Sequence, residues 1–190
     1  MKRHLFLTGP IGCGKSTILW QALGVSHLHR AGGFLTVRRR NADGRPANFV
    51  LMDPAGAEKQ IFLDLTAGKP VVNLDVFSRF GTDLLNRAEE YPYIILDEIG
   101  GMELLCPEFL EALDRLLSSD APILGVLKGE GPASVMISRL GLAEEYEKAA
   151  ASLRNRLAQD PNTAICHVDR YGSKATLALA ERWVKEYLHD

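Results

Sequence analysis

The chain has little cysteine: three residues in 190, at Cys13, Cys106 and Cys166. They are odd in number and far apart, which excludes a disulfide framework and any zinc-type spacing, and sets the expected compartment as a reducing cytoplasm. Long apolar runs are also missing. No segment approaches the roughly 20 residues needed to span a membrane. The first apolar run, Leu5-Phe6-Leu7 before Thr8-Gly9, is too short for a signal peptide, so no membrane partner is expected. Excess charge of either sign is lacking too. Lys and Arg number 22 against 24 Asp and Glu, a net −2, which argues against a dedicated nucleic-acid surface. Internal repeats and low-complexity tracts are absent. What remains is 46% hydrophobic and 24% charged, an ordinary globular composition. The length suits a single domain, 1–190, with ample chain for a core. A protein partner is left unnamed.

Against that plain background one stretch stands out: Gly9-Pro10-Ile11-Gly12-Cys13-Gly14-Lys15-Ser16-Thr17. It matches G-x-x-x-x-G-K-[ST], with Gly9, Gly14, Lys15 and Ser16 on the defining positions. His4 to Thr8 before it suits a buried strand, and Ile18 to Leu23 after it continues as a helix expected to stop near Gly24. In a strand–loop–helix setting the glycines let successive N–H groups turn inward around phosphate oxygens, and the helix N-terminus adds free donors and positive dipole. Residues 9–17 are therefore the expected nucleotide-binding segment. Lys15 brings charge to the β- and γ-phosphates, and Ser16 a hydroxyl oxygen to Mg²⁺. Two orientations are open for Cys13: toward the phosphates with an activated thiol, or inward against the sheet.

Downstream, Ala31-Gly32-Gly33 reads as a break. Runs at 34–40, 48–53 and 60–65 read as strands joined by the turns Asn41-Ala42-Asp43-Gly44 and Pro54-Ala55-Gly56. The links are too short for crossover helices, so 32–66 is expected as an antiparallel hairpin insertion on or beside the main sheet. Asn73 is expected to cap a helix to about Glu90, weakened at Gly81. Tyr93 to Asp97 reads as a central parallel strand and Pro107 as a helix start; Pro122 to Leu127 reads as the next buried strand. From Pro132 to Gln159 the pattern is helical with an interruption at Gly141, so 130–162 reads as an extra helical segment. Ile165 to Val168 is the last strand, and Ser173 caps the last helix. Strands alternating with helices predict an α/β fold, a mostly parallel central sheet flanked by helices, with ligands at the carboxyl strand ends.

Asp97-Glu98 sits at one such end. Phosphoryl transfer needs an acid near Mg²⁺, and Asp97 is placed for it; attack by water needs a base, and Glu98 is next along. Gly100 and Gly101 allow close backbone approach to a γ-phosphate or form an ordinary turn.

With these residues in view, the chain resembles a known family. Gly9 to Thr17, Gly33-Phe34-Leu35-Thr36, then Asp97-Glu98-Ile99-Gly100-Gly101-Met102-Glu103-Leu104 with Phe109 following, look like the small cytosolic P-loop nucleoside-triphosphatases of the thermophile and cancer-related type. The likeness runs over about residues 4 to 127. It implies a RecA-like P-loop fold and slow, Mg²⁺-dependent hydrolysis of several nucleoside triphosphates such as ATP and GTP. It implies Lys15 at phosphate, Ser16 and Asp97 at metal, and Glu98 as the group that activates water. Departures from the family pattern are Val37 and Arg38 where acids are usual, Asp169-Arg170-Tyr171-Gly172 near the last strand, and a longer, more helical 128–162.

Other residues have two readings. Arg38, Arg39, Arg40 and Arg45 read as a solvated edge strand protected by charge, ahead of a phosphate or nucleic-acid patch, because no stacking aromatics are interleaved. Lys128 is a γ-phosphate sensor or a surface lysine. Arg139, Arg154 and Arg156 are arginine-finger candidates or solvated helix residues. His27 and His29 are too isolated for a metal. Three functions stay open: hydrolysis to diphosphate and phosphate with broad base specificity, a small-molecule or nucleotide kinase using the same loop, and a nucleotide-dependent switch.

Overall fold

The computed structural model describes residues 1–66, 68–129, 137, 141–169 and 173–188. Strand β1 is His4–Thr8, β2 Ala31–Arg40, β3 Pro46–Met52, β4 Lys59–Asp64, β5 Val71–Val72, β6 Tyr93–Ile99, β7 Ile123–Leu127 and β8 Thr163–His167. They form one 8-stranded sheet in the order β5-β4-β3-β2-β6-β7-β1-β8. β2, β6, β7, β1 and β8 pair in parallel. β3, β4 and β5 continue the sheet antiparallel.

The expected hairpin therefore lies within the sheet. The lower half of β2 (Ala31 to Phe34) pairs with β6 and the upper half (Leu35 to Arg40) with β3. This corrects the break expected at Ala31–Gly33. Gly33 has φ +91, and a Cβ there would stand 2.1 Å from the Ile95 carbonyl oxygen. The glycine is thus required by the closeness of β6, and the strand runs through it.

Helix α1 spans Lys15–Leu28, with Gly24 at φ 63 interrupting it where the sequence places its end. A wide π-turn at Val76–Gly81 leads into α2, Thr82–Arg87. That start lies beyond Asn73, whose N–H is bound to Phe62 O in the sheet. Gly81 is a packing site: a Cβ would meet the Phe109 ring at 3.1 Å. Helix α3 is Pro107–Leu117 with proline at its first turn, α4 is Ala143–Gln159, and α5 is Lys174–Tyr187 capped by Ser173. The helical pattern expected over 132–136 and 138–140, with Arg139, and the run Arg170-Tyr171-Gly172 lie outside the described residues.

Alternation along the strands divides the core. Phe6, Phe34, Ile94 and Leu96 face α2, α3 and α4, with Phe77, Phe109, Tyr146 and Leu153. Leu5, Ile95, Leu124 and Val126 face α1 and α5, with Leu19, Leu23 and Trp183. Each such side chain contributes about 1.5–3 kcal/mol on burial, so a parallel sheet covered on both faces is the low-energy arrangement. Its rigid centre carries the carboxyl ends of β1, β6 and β7 side by side.

Candidate active site

Between β1 and α1 the chain turns through Gly9, Gly12 and Gly14, all at positive φ. A Cβ on Gly9 would lie 2.2 Å from the Val168 carbonyl oxygen, so only glycine fits there. Gly14 caps α1 without a side chain. The first N–H groups of the helix are left to a ligand, which is the physical basis of an anion cradle. Pro10, Ile11 and Thr17 are exposed around the loop, and Ser16 is half-buried.

The Lys15 side chain is buried, and its Nζ donates to the carbonyls of Gly9 and Pro10, each at 2.8 Å. Its ammonium is thus held at the loop by the loop itself. Cys13 faces inward, packed with Leu7, Ile18, Val168 and Ala180, its sulfur 3.8 Å from Lys15 Nζ. Of the two orientations open in the sequence, the structure takes the buried one.

Asp97 closes the other side. Its side chain is fully buried, Oδ1 accepts a 2.9 Å bond from Ser16 Oγ, and its backbone carbonyl accepts from Thr36 Oγ1 at 3.1 Å. Burial, then the neighbouring Glu98 charge, push the carboxyl up to about 7, while the Ser16 hydroxyl and the Trp20 indole pull it back. Asp97 Oδ2 is buried without a hydrogen-bond partner. A buried, unsatisfied carboxylate oxygen beside a serine hydroxyl is a donor set for a hard cation such as Mg²⁺. Among the described residues no three His, Cys, Asp or Glu side chains cluster as a metal site. A cation at Ser16 and Asp97 would therefore need phosphate and water oxygens to fill its shell.

Glu98 is half-buried and has φ +68, the one positive value outside glycine among the described residues. The β6–β7 register shifts between Leu96 and Ile99, so the strand kinks there and re-aims Glu98. Beyond it, the buried Glu103 carboxylate accepts from the N–H of Gly100 at 2.5 Å and of Gly101 at 2.7 Å, and Tyr146 Oη donates to Gly100 O at 3.0 Å. Glu98 pairs with Lys128 Nζ at 3.8 Å.

The fold thus brings Gly9 to Thr17, Asp97 and Glu98 together. It does not bring Arg156, which is bonded to Asp114 on α3 and to Ser118 just past its end. Arg38 is exposed and lies 5.0 Å over the Phe49 ring of β3; β2 is an inner strand of the sheet, paired with β3 at Arg38, which corrects the edge strand expected there. Trp20, Thr36 and Tyr146 also stand at this site, with no role there expected from the sequence. Trp20 follows Ser16 by four residues on one helix face, a spacing that could have signalled it. Tyr146 was legible only as core.

A glycine loop joined through one serine to a buried acidic strand end, in a largely parallel sheet, defines a P-loop nucleotide hydrolase fold. The profile of the NTPase family matches residues 4–160, and the chain belongs to that family. It is similar to the mouse cancer-related nucleoside-triphosphatase homolog, 34% identical over 143 residues, 65% of this chain and 74% of that one. It is likewise similar to nucleoside-triphosphatase THEP1 of Methanosarcina acetivorans, 31% identical over 153 residues, 76% and 83% of the two chains. Among solved structures, the human cancer-related nucleoside triphosphatase aligns over 98% of this chain and 97% of its own, with TM-score 0.63 and 25% identity. THEP1 of Aquifex aeolicus aligns over 98% and 99%, with TM-score 0.65 and 20% identity, a likeness of fold.

Proposed function

We propose that the chain hydrolyses nucleoside 5′-triphosphates to diphosphate and phosphate, with Mg²⁺ and with broad base specificity. The observation that carries this reading is the Ser16–Asp97 hydrogen bond, which joins the phosphate loop to the acidic strand end. Residues 9–17 cradle the phosphates through backbone N–H groups. Lys15 leaves its carbonyl partners for β- and γ-oxygens. Ser16 and Asp97 hold Mg²⁺, which when bound supplies positive charge against the phosphate oxygens. Glu98, re-aimed by the kink, orients water and accepts its proton.

Every group named here addresses phosphate, metal or water and none addresses a base, which supports broad specificity. The antiparallel strands continuing the main sheet support one NTPase domain. Unpaired Cys13, Cys106 and Cys166 support a reducing, cytoplasmic setting, and no described helix is long and apolar enough to cross a membrane.

The test is phosphate release from ATP, GTP, CTP and UTP with Mg²⁺ and no acceptor. Release from several of them, lost in a folded Lys15→Ala variant, is the expected result. Turnover that requires an added hydroxyl acceptor would overturn hydrolysis in favour of a kinase.

A further inference from the structure

β7 lies between β6 and β1 in the sheet, so its carboxyl end falls between the two halves of the site. Lys128 and Gly129 follow it directly. A Cβ on Gly129 would come within 3.0 Å of the Gly9 carbonyl oxygen, so this segment lies against the first residue of the phosphate loop. On the other side, the Lys128 N–H donates to Ile99 O at 2.8 Å, which ties it to the acidic strand. The Lys128 stem passes over the Gly100–Gly101 turn. A Cβ on Gly101 would stand 2.7 Å from Lys128 Nζ and 2.9 Å from Glu103 Oε2, so the missing side chain is what gives the ammonium its place. There it is 3.8 Å from Glu98 Oε2, with the two side chains only 28% and 29% exposed.

Both lysines that border the site are therefore engaged by the protein's own acceptors: Lys15 by the Gly9 and Pro10 carbonyls, Lys128 by Glu98. An ammonium partly withdrawn from water and paired with one carboxylate at 3.8 Å is held by charge and not by shape, so a more highly charged anion arriving within reach competes for it. The arriving group is the terminal phosphate, since the loop fixes the nucleotide's inner phosphates beside Gly9.

We propose that Lys128 is the residue that distinguishes triphosphate from diphosphate. Without a γ-phosphate it stays paired with Glu98 and neutralises it. A γ-phosphate draws the ammonium away, and Glu98 is released to face water only when a cleavable group is present. This inference rests on the hydrolase reading above. It adds a specificity-determining residue and a reason why the product diphosphate does not hold the site in its active arrangement.

The test measures binding, so turnover does not enter. Affinities of a non-hydrolysable β,γ-imido triphosphate and of the matching diphosphate, both with Mg²⁺, are compared by calorimetry for the unmutated chain, Lys128→Met, Lys128→Arg, Glu98→Gln and the Lys128→Met/Glu98→Gln double variant. Thermal melts check that each is folded. Lys128→Met is expected to weaken the triphosphate analogue about tenfold, the size of one charge-assisted contact, and to leave the diphosphate within about twofold. Lys128→Arg should recover most of the loss. Glu98→Gln should tighten the analogue about threefold by freeing Lys128, and this gain should vanish in the double variant. Equal weakening of both nucleotides, no weakening of either, or a Glu98→Gln gain that survives without Lys128 would overturn the proposal. An unmutated chain that binds neither nucleotide would instead overturn the hydrolase reading beneath it.

Discussion

Ser16 Oγ donates to Asp97 Oδ1 across 2.9 Å, joining residues 81 positions apart. It directly links the start of α1, at the glycine loop, to the acidic end of β6. Asp97 Oδ2 beside it has no partner. The buried carboxyl is satisfied on one oxygen and available on the other, an arrangement that costs stability in the free chain and suits a cation.

That cost has a sign. Burial raises Asp97 from 3.8 to about 7, so the folded chain holds the proton more tightly than the unfolded one. Stability linked to this group is fully present below about pH 4 and is lost as pH rises through about 7. Asp97→Asn mimics the protonated acid. It is expected to raise the stability of the nucleotide-free protein at pH 8 by on the order of 1–4 kcal/mol, with little effect at pH 4, while phosphate release is abolished. Urea melts at the two pH values check it; an Asn variant that is less stable at pH 8 contradicts the account.

Glu98→Gln separates chemistry from binding. The amide keeps size and polarity but cannot take a proton, so the rate is expected to fall about 10²-fold or more with nucleotide still bound. Single-turnover phosphate release beside calorimetry reads both quantities. Full rate in the Gln variant would move the base to another residue.

Much of the fold was legible because its signals were local. A glycine loop after an apolar strand, a proline opening α3 and a serine capping α5 each act within a few residues, and each stands where the sequence places it. What escaped depends on contacts between distant segments. Gly32-Gly33 reads as a break because glycine disfavours strands, yet Gly33 is fixed by a strand some 60 positions away, whose Ile95 carbonyl oxygen leaves no room for a Cβ. The two-residue β5 is too short to carry a pattern. At the site, Asp97 and Glu98 were found from a motif, but the kink at Glu98 and the Lys128 pairing depend on how β6 and β7 slip past one another.

Thiol labelling tests the inward orientation of Cys13. Cys166 is half-exposed, whereas Cys13 and Cys106 are buried. Burial, with the Glu103 and Glu108 charges behind it, pushes the Cys106 thiol up to about 11, so it carries almost no thiolate near neutrality. Cys166 is expected to label first and with no response to nucleotide. Cys13 should follow slowly, limited by opening of the loop, and Mg-nucleotide should slow it further. Peptide mapping over time decides; rapid first labelling at Cys13 would place its sulfur toward the ligand.

Glu103 gives the last prediction. One buried oxygen, Oε1, accepts from both Gly100 and Gly101 N–H groups, and Tyr146 holds the Gly100 carbonyl from the opposite side. Together they clamp the turn that follows Glu98 and over which Lys128 rests. Glu103→Ala strands two buried donors, at about 1–3 kcal/mol each, and is expected to lower the melting temperature and loosen the turn. Glu103→Gln keeps an acceptor oxygen but loses the charge, so about half of the cost should return. Tyr146→Phe removes only the outer bond and should cost about 1 kcal/mol. Amide hydrogen exchange at Gly100 and Gly101 distinguishes this clamp from general destabilisation. In Glu103→Ala those two amides should exchange faster than their neighbours in β6, beyond what the change in global stability allows. Turnover should fall with them, because Glu98 and Lys128 both take their positions from this turn. Unchanged protection at Gly100 and Gly101 would show that the backbone holds the turn without Glu103.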